Sequence, residues 1–441
     1  MASPYYYDAS AAGAGTGADW TNAFTTFAAA VAAATVDGDI IYVASTSAEV
    51  LAVDTTYTFA ANVRVISADK TSGTPPTTLQ TQEAGGGYVG NTSTNRSITL
   101  AGAYKIFIRG MEFAVTGGDV FRTAGTDGQH TELEDCHVRL GSSAKIELGT
   151  SGSESNRFTR MRGGTITFGA TTVGISPFGA GEFEAVTLAG TAPDTLVLVG
   201  NRSGNLLRFE GCDLSLITGT LVAPNTIEPS QVVFANCKLG SGVTALSSTG
   251  NNTLGFARVW LYDCAAGDEH YHLQYHDAFG SLTVDTGIYA NDGAAYDGTN
   301  KCSWKIVTSA LCSYYYPFTT PWFDVYHSGT AAKTPSIEIL RDGSATAYQD
   351  DEVWGEWSYK GTTGSVQTTM VNDRKALLAA AANQAAGVGT TGWTGENASA
   401  WSGKLAPGST ITPAEIGHIR GRVCVGEPSI TVYVDPQTRL A

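Results

Sequence analysis

A short template recurs through the middle of the chain about every 25 residues, and this period constrains the fold more than any other feature of the sequence. The segments are FIRGMEF (107–113), ELEDCHV (132–138), TRMRGGTI (159–166), EFEAVTL (182–188), RFEGCDL (208–214), VFANCKL (233–239) and WLYDCAA (260–266). The first apolar position holds Ile108, Leu133, Met161, Phe183, Phe209, Phe234 and Leu261. The middle position holds Met111, Cys136, Gly164, Val186, Cys212, Cys237 and Cys264, spaced 25, 28, 22, 26, 25 and 27 residues apart. Any residue follows, and then Phe113, Val138, Ile166, Leu188, Leu214, Leu239 and Ala266. Just before the middle sit Gly110, Asp135, Gly163, Ala185, Gly211, Asn236 and Asp263, mostly types that tolerate a left-handed backbone. A repeat this short has room for strands and tight turns but not for a ten-residue helix. It predicts an all-β parallel β-helix in which each repeat is one coil, and stacking buries what an isolated coil cannot.

Composition agrees with a turn-rich β protein. Glycine contributes 52 of 441 residues, and only 15% are charged. A net charge of −15, with no Lys or Arg before Arg64 and no basic cluster, excludes a nucleic-acid partner. The N-terminus lacks the positive region of a secretory signal, and Phe27–Ala34 is too short to span a bilayer. The expectation is a chain made in the host cytoplasm, without membrane insertion. Seven cysteines do not form a disulfide framework. Four of them share the inward middle position, where a ladder of buried thiols is expected, although Cys212 and Cys237 would lie close enough to bridge.

The ends of a solenoid need covers. Asp19 is placed to cap a helix over 20–34, with Trp20, Phe24, Phe27 and Val31 on one face, leading into a first coil that begins GDIIYVAS (38–45). Past residue 330 the template fails, and PSIEILRDG, EVWGEWSYKG and PSITVYVDP read as alternating strands. The expected organisation is therefore an N-terminal segment and capping helix (1–37), a parallel β-helix (38–330) and a β-sandwich-like C-terminal domain (331–441), with a short helix around 372–382.

The opening DWTNAFTTFAAAVAAATVDGDIIYVAS resembles the capped start of pectate-lyase-like right-handed parallel β-helix proteins of tailed-bacteriophage virions. The closing IGHIRGRVCVGEPSITVYVDP is similar to the ends of phage and prophage structural proteins. The resemblance implies architecture rather than activity, since this fold hosts lyases, hydrolases, adhesins and inert spikes. Polygalacturonase-like members carry an Asn-Thr-Asp, a paired Asp, a Gly-His-Gly and an Arg-Ile-Lys, none of which occurs on the solenoid. Asp350 and Asp351 fall in the C-terminal domain, and Gly417-His418-Ile419 lacks the second glycine. Pectate-lyase-like members need an acidic calcium cluster and a catalytic Arg, which have no counterpart here.

The residues offer several candidate sites. In GDEHYHLQYHDAFG (267–280), His270, His272 and His276 share one strand parity, opposite Tyr271, Leu273 and Tyr275. A His-x-His pair can bind zinc, nickel or iron, with Asp277 or Glu269 as third ligand. His270 and His276 would nevertheless lie roughly 20 Å apart on an extended strand. A metal site, a contact between subunits and a solvated face remain open for this stripe. Glu184 and Glu210 occupy equivalent template positions on adjacent coils, within the 5–9.5 Å separation that glycosidase carboxylates need. Tyr5, Tyr6 and Tyr7 are candidate interface residues; Tyr314–Tyr316, Trp354, Trp357, Trp393 and Trp401 suit sugar stacking, a core or an interface. The Gly13–Gly17 loop has the wrong spacing for a nucleotide fingerprint, so no cofactor is expected.

With no enzyme motif on the coils, the leading expectation is a non-enzymatic structural protein of a tailed-phage virion, a decoration or spike on the capsid or part of the tail. The resemblance implies a homotrimer on the virion surface, with the major capsid protein or other virion proteins as partners. The alternatives are a tailspike-type polysaccharide depolymerase or lyase, and an adhesin that binds a host-surface glycan.

Overall fold

The structure is a computed structural model. It describes residues 2–149 apart from 83–84 and 126–127, residues 157–223 apart from 172–173 and 199–205, and chiefly the strands beyond 230. The chain divides into two compact units, Met1–Gln231 and Val232–Ala441.

The first unit is a parallel β-solenoid with three strands per coil, so that its wall has three faces. Face 1 carries Ile40–Ala44, Val63–Ala68, Lys105–Arg109, His130–Glu134, Phe158–Arg162, Ala180–Glu184 and Leu206–Glu210. Face 2 carries Ala48–Val50, Tyr88–Gly90, Glu112–Val115, His137–Leu140, Thr165–Phe168, Thr187–Gly190 and Asp213–Leu214. Face 3 carries Thr55–Phe59, Ile98–Gly102, Val120–Thr123, Lys145–Leu148, Ile175–Pro177, Thr195–Leu198 and Thr220–Ala223.

The template maps onto the corner between faces 1 and 2. Its first position becomes an unbroken inner column, Ile41–Val65–Ile108–Leu133–Met161–Phe183–Phe209, in register from coil to coil. Every member is at most 2% exposed. Its last position makes a second column on face 2, Val89–Phe113–Val138–Ile166–Leu188. Gly110, Asp135, Gly163, Ala185 and Gly211 turn the chain between the faces with φ from +51° to +70°. Cys136, just past the turn, is a buried thiol whose Sγ lies 3.4 Å from Glu134 O. Cys212 Sγ donates to Phe183 O at 3.2 Å. The lumen also holds a polar patch that the apolar template does not contain: Thr123 and Thr159 share a 2.7 Å hydrogen bond, and Gln129 Nε2 donates to Leu100 O and Thr131 Oγ1.

The lid differs from the expected helix over 20–34. The helix spans only Phe27–Ala33 and is capped by Thr26, whose hydroxyl accepts from Ala29 N. Asp19 instead closes a turn, accepting from Asn22 N at 2.8 Å. The run Thr21-Asn22 and Thr25-Thr26 is poor helix former and competes for local backbone bonds. Pro4–Tyr7 adds a face 1 strand ahead of Ile40, pairing with it in parallel. Glu49 ties the lid down, accepting from Phe27 N at 2.6 Å and from the Tyr7 hydroxyl at 3.0 Å.

In the second unit the template's Cys264 again lies in the core, with Sγ 3.4 Å from Phe234 O. Strand Ala257–Ala266 pairs in parallel with Lys238–Leu239, and Glu269–His276 then runs antiparallel to it, across an irregularity between Leu261 and Cys264. From Gly280–Asp285 onward the pairings among the described residues are antiparallel. Ser303–Thr308 pairs with Thr431–Leu440, which pairs with Pro335–Asp342, and Val353–Lys360 pairs with His418–Val425. Val432, Tyr433 and Val434 are buried in succession, as are Val423, Cys424 and Val425, so these strands lack the in–out alternation of a half-exposed sheet. The short helix expected around 372–382 lies outside the described residues.

Candidate functional site

Outward positions on a solenoid align as inner ones do, about 4.8 Å apart from coil to coil. On face 1 this gives two charged columns. Glu132, Arg160, Glu182 and Arg208 alternate in sign along one. Arg109, Glu134, Arg162, Glu184 and Glu210 form the other. Glu184 and Glu210 are thus direct neighbours, as the template spacing predicts. Their chemistry is not that of an acid/base pair, because arginines take both. Glu184 bonds Arg160 and, at 3.1 Å, Arg162, while Glu210 accepts from Arg208 Nε at 3.1 Å. The Arg160 hydrogen bond, with Arg162 beside it, holds the Glu184 carboxyl below the usual carboxylate range. A general acid needs the opposite shift.

Face 2 has a different outer column: Tyr88, Glu112, His137, Thr165 and Thr187. Beside it run Arg139, Thr167 and Ala189 in register. The Glu112 and His137 side chains are each only 12% exposed. Arg139 reaches back to Glu112 Oε1 at 2.8 Å, and Gln82 Nε2 donates to Glu112 Oε2 at 3.3 Å. Gln82 arrives on the insertion between Ala68 and Tyr88, held at the corner by its own N–H to Asp135 O. Gly110 permits that crossing: its φ is +70°, and a Cβ there would lie 2.2 Å from Gln80 O.

The three coils carrying Glu112, His137 and Thr167 thereby line up a carboxylate, an imidazole and a hydroxyl. His137 Nε2 is 2.8 Å from Thr167 Oγ1. Its Nδ1 is 3.7 Å from Glu112 Oε2 and has no hydrogen-bond partner among the described residues. Burial pushes the Glu112 carboxyl up, but His137, Arg139 and Gln82 more than offset it, so the net shift is downward and the group is held ionised. An ionised carboxylate, an imidazole and a hydroxyl in line form a proton-relay geometry.

Two of these three residues, Glu112 and His137, lie inside the template, yet nothing in the repeat marks them. Glu112 and His137 fill the position after the middle one, which tolerates any residue because it faces outward. Read down the coils, that position is the wall of the site.

The other expected residues fall elsewhere. Tyr6 and Tyr7, expected at an interface, are 1% and 0% exposed. They are buried within the subunit, where Tyr6 packs edge-on to Trp20 and Tyr7 lies against Phe27. Tyr5 keeps partial exposure and lies 6.3 Å from the Phe24 ring. His270, His272 and His276 sit on the antiparallel strand, where His270 pairs with Ala265 and His276 with Arg258; their side chains lie outside the described residues. So do the side chains of Trp354, Trp357 and Trp393, and residues Tyr314, Asp350, Asp351, Trp401 and Gly417 altogether. Among the described residues no helix is long and apolar enough to cross a membrane, and no group of three His, Cys, Asp or Glu is placed to hold a metal ion.

No protein-family model matches the chain, and no curated protein does. Among solved structures the chain is similar to the enzymatically active domain of tailspike protein 4 of bacteriophage CBA120. The match is 8% identical, has a TM-score of 0.21, and covers 96% of this chain and 67% of that one. At that TM-score no residue role transfers from one chain to the other. The expectation of a non-enzymatic protein is withdrawn: one of the solved structures that match is an enzymatically active domain, a property of that protein rather than of this chain.

Proposed function

We infer that the chain is a polysaccharide-processing enzyme of the tailspike type, working on face 2 of its solenoid. The observation that carries this reading is the half-buried pairing of ionised Glu112 with His137. Imidazole is the side chain best suited to take and return a proton near neutral pH. A neighbouring carboxylate orients it and stabilises its charged form. The rigid, regularly spaced wall around the pair suits a polymeric substrate, which can lie along several coils at once. In this reading the protein is carried on a phage virion, assembles as a homotrimer, is held there by other virion proteins, and meets a host-surface glycan.

The test is to incubate the purified protein with a panel of bacterial capsular polysaccharides and lipopolysaccharides. New reducing ends, unsaturated ends and released acyl groups would be measured. The expected result is product from at least one polysaccharide, with His137→Ala slowing its formation by about 10²-fold or more. Absence of product from the whole panel, or equal product from H137A, would overturn the reading.

A further inference from the structure

We propose that Thr167 is a nucleophile and that the bond broken at face 2 is an ester, such as an acyl group carried on a polysaccharide hydroxyl. The proposal rests on the reading that face 2 is the catalytic wall, and narrows it to one reaction. Its observations are geometric. Thr167 Oγ1 lies 2.8 Å from His137 Nε2, within the reach that a base needs to activate a hydroxyl. For Nε2 to accept that proton, Nδ1 must carry the other hydrogen. Nδ1 is buried without a hydrogen bond among the described residues and faces Glu112 Oε2 at 3.7 Å. A small side-chain movement closes that gap, as relays long in the free enzyme do when substrate binds.

The surroundings of Thr167 suit an acyl group. Arg139 is its direct neighbour on the preceding coil and is 43% exposed at its side chain. Arg139 spends one contact on Glu112, leaving guanidinium N–H groups for a developing oxyanion. On the following coil the neighbours are Ala189 and Gly190, the smallest side chains on that strand. Gly190 has φ of +86°, and a Cβ there would lie 3.0 Å from Thr167 Cγ2. The hydroxyl therefore has a cation on one side and a low floor on the other.

Thr167 Oγ bonds to the acyl carbon as its proton passes to His137 Nε2, and the carbonyl electron pair moves onto oxygen beside Arg139. Collapse breaks the ester C–O bond, and the leaving alcohol oxygen takes the proton from Nε2. Water then repeats the sequence on the acyl-threonine, releasing the carboxylic acid and restoring the hydroxyl.

The experiment uses the full chain, with p-nitrophenyl acetate as substrate and a fluorophosphonate as covalent probe. Wild type is expected to hydrolyse the ester and to take the label on the peptide containing Thr167. Thr167→Val should lose the label and at least about 10²-fold in kcat/KM, while Thr167→Ser stays within about tenfold. Circular dichroism of each variant separates a chemical loss from a folding loss, and rescue by T167S excludes a merely structural role. Wild-type hydrolysis by T167V, or a label on another residue, overturns the proposal. The two readings fail separately. Sugar release from a polysaccharide at the same rate in T167V and wild type would defeat the nucleophile and leave the proposed function. Ester hydrolysis with no polysaccharide altered would do the reverse.

Discussion

The rings of Phe183 and Phe209 stack with centroids 4.9 Å apart and planes 11° from parallel, so one side-chain contact reproduces the spacing between coils. Both residues occupy the first template position, and both are buried to within 2%. Stability in such a stack is a sum of interfaces between neighbouring coils.

Phe209→Ala should therefore destabilise the first unit by about 3–5 kcal/mol, the usual result of emptying a phenylalanine site in a core. Chemical denaturation followed by far-ultraviolet circular dichroism checks this. A loss below about 1 kcal/mol would mean that the column is not a core.

Gly110→Ala should be costly for two separate reasons. The residue has φ of +70°, and the added Cβ would lie 2.2 Å from a backbone oxygen, that of Gln80. Ala185→Gly, at the equivalent turn with φ of +53°, removes strain and should be close to neutral or mildly stabilising. A comparison of the two melting temperatures decides it. Equal effects from the two substitutions would show that the corner is not fixed by its backbone.

Acid should weaken the wall of face 2. The folded Glu112 carboxyl is depressed relative to the unfolded chain, where a glutamate titrates at about 4.3. The stability it contributes is fully present above that unfolded value. It is lost as pH falls through the lower folded value. Glu112→Gln should flatten the part of the pH–stability curve that falls away below the unfolded glutamate value of about 4.3. Identical curves for wild type and variant would remove Glu112 from the linkage.

Burial pushes the Cys136 thiol up to about 12. Iodoacetamide reacts with thiolates, so at pH 8 the native protein should leave Cys136 unmodified while denatured protein is alkylated there. Peptide mass spectrometry reads both states, and labelling of the native protein would contradict the burial.

The solenoid was legible in the sequence because its inner positions are under one constraint repeated down the stack. Ile108, Leu133, Met161, Phe183 and Phe209 must all be apolar to share a column. Gly110, Asp135 and Ala185 turn with positive φ at the place the residue types suggest. The lid was only half legible: Trp20 and Phe24 have helical spacing, but Trp20 packs from the turn and Phe24 from a β-bridge to Tyr7, and the helix waits for Thr26. Glu184 and Glu210 show where periodicity stops informing chemistry. Their adjacency follows from the repeat, while their neutralisation depends on Arg160, Arg162 and Arg208, which the two-acid pattern leaves out. The Glu112–His137–Thr167 line was hidden for the opposite reason. Outward positions vary freely between coils, so no motif marks them, and Thr167 meets His137 through a diagonal contact between strands.

Strand Pro4–Tyr7 has a consequence for assembly. One side of it pairs with the first coil, and the other is satisfied by residues 17–24: Tyr6 N donates to Gly17 O, and Phe24 N donates to Tyr6 O. The stack therefore ends in a strand whose hydrogen-bonding groups are already engaged. A chain stripped of its first 34 residues would present Ile40–Ala44 as a naked template for a second molecule. The segment that resembles a lid is in this respect a terminator, setting a finite length on an architecture that could otherwise polymerise into filaments.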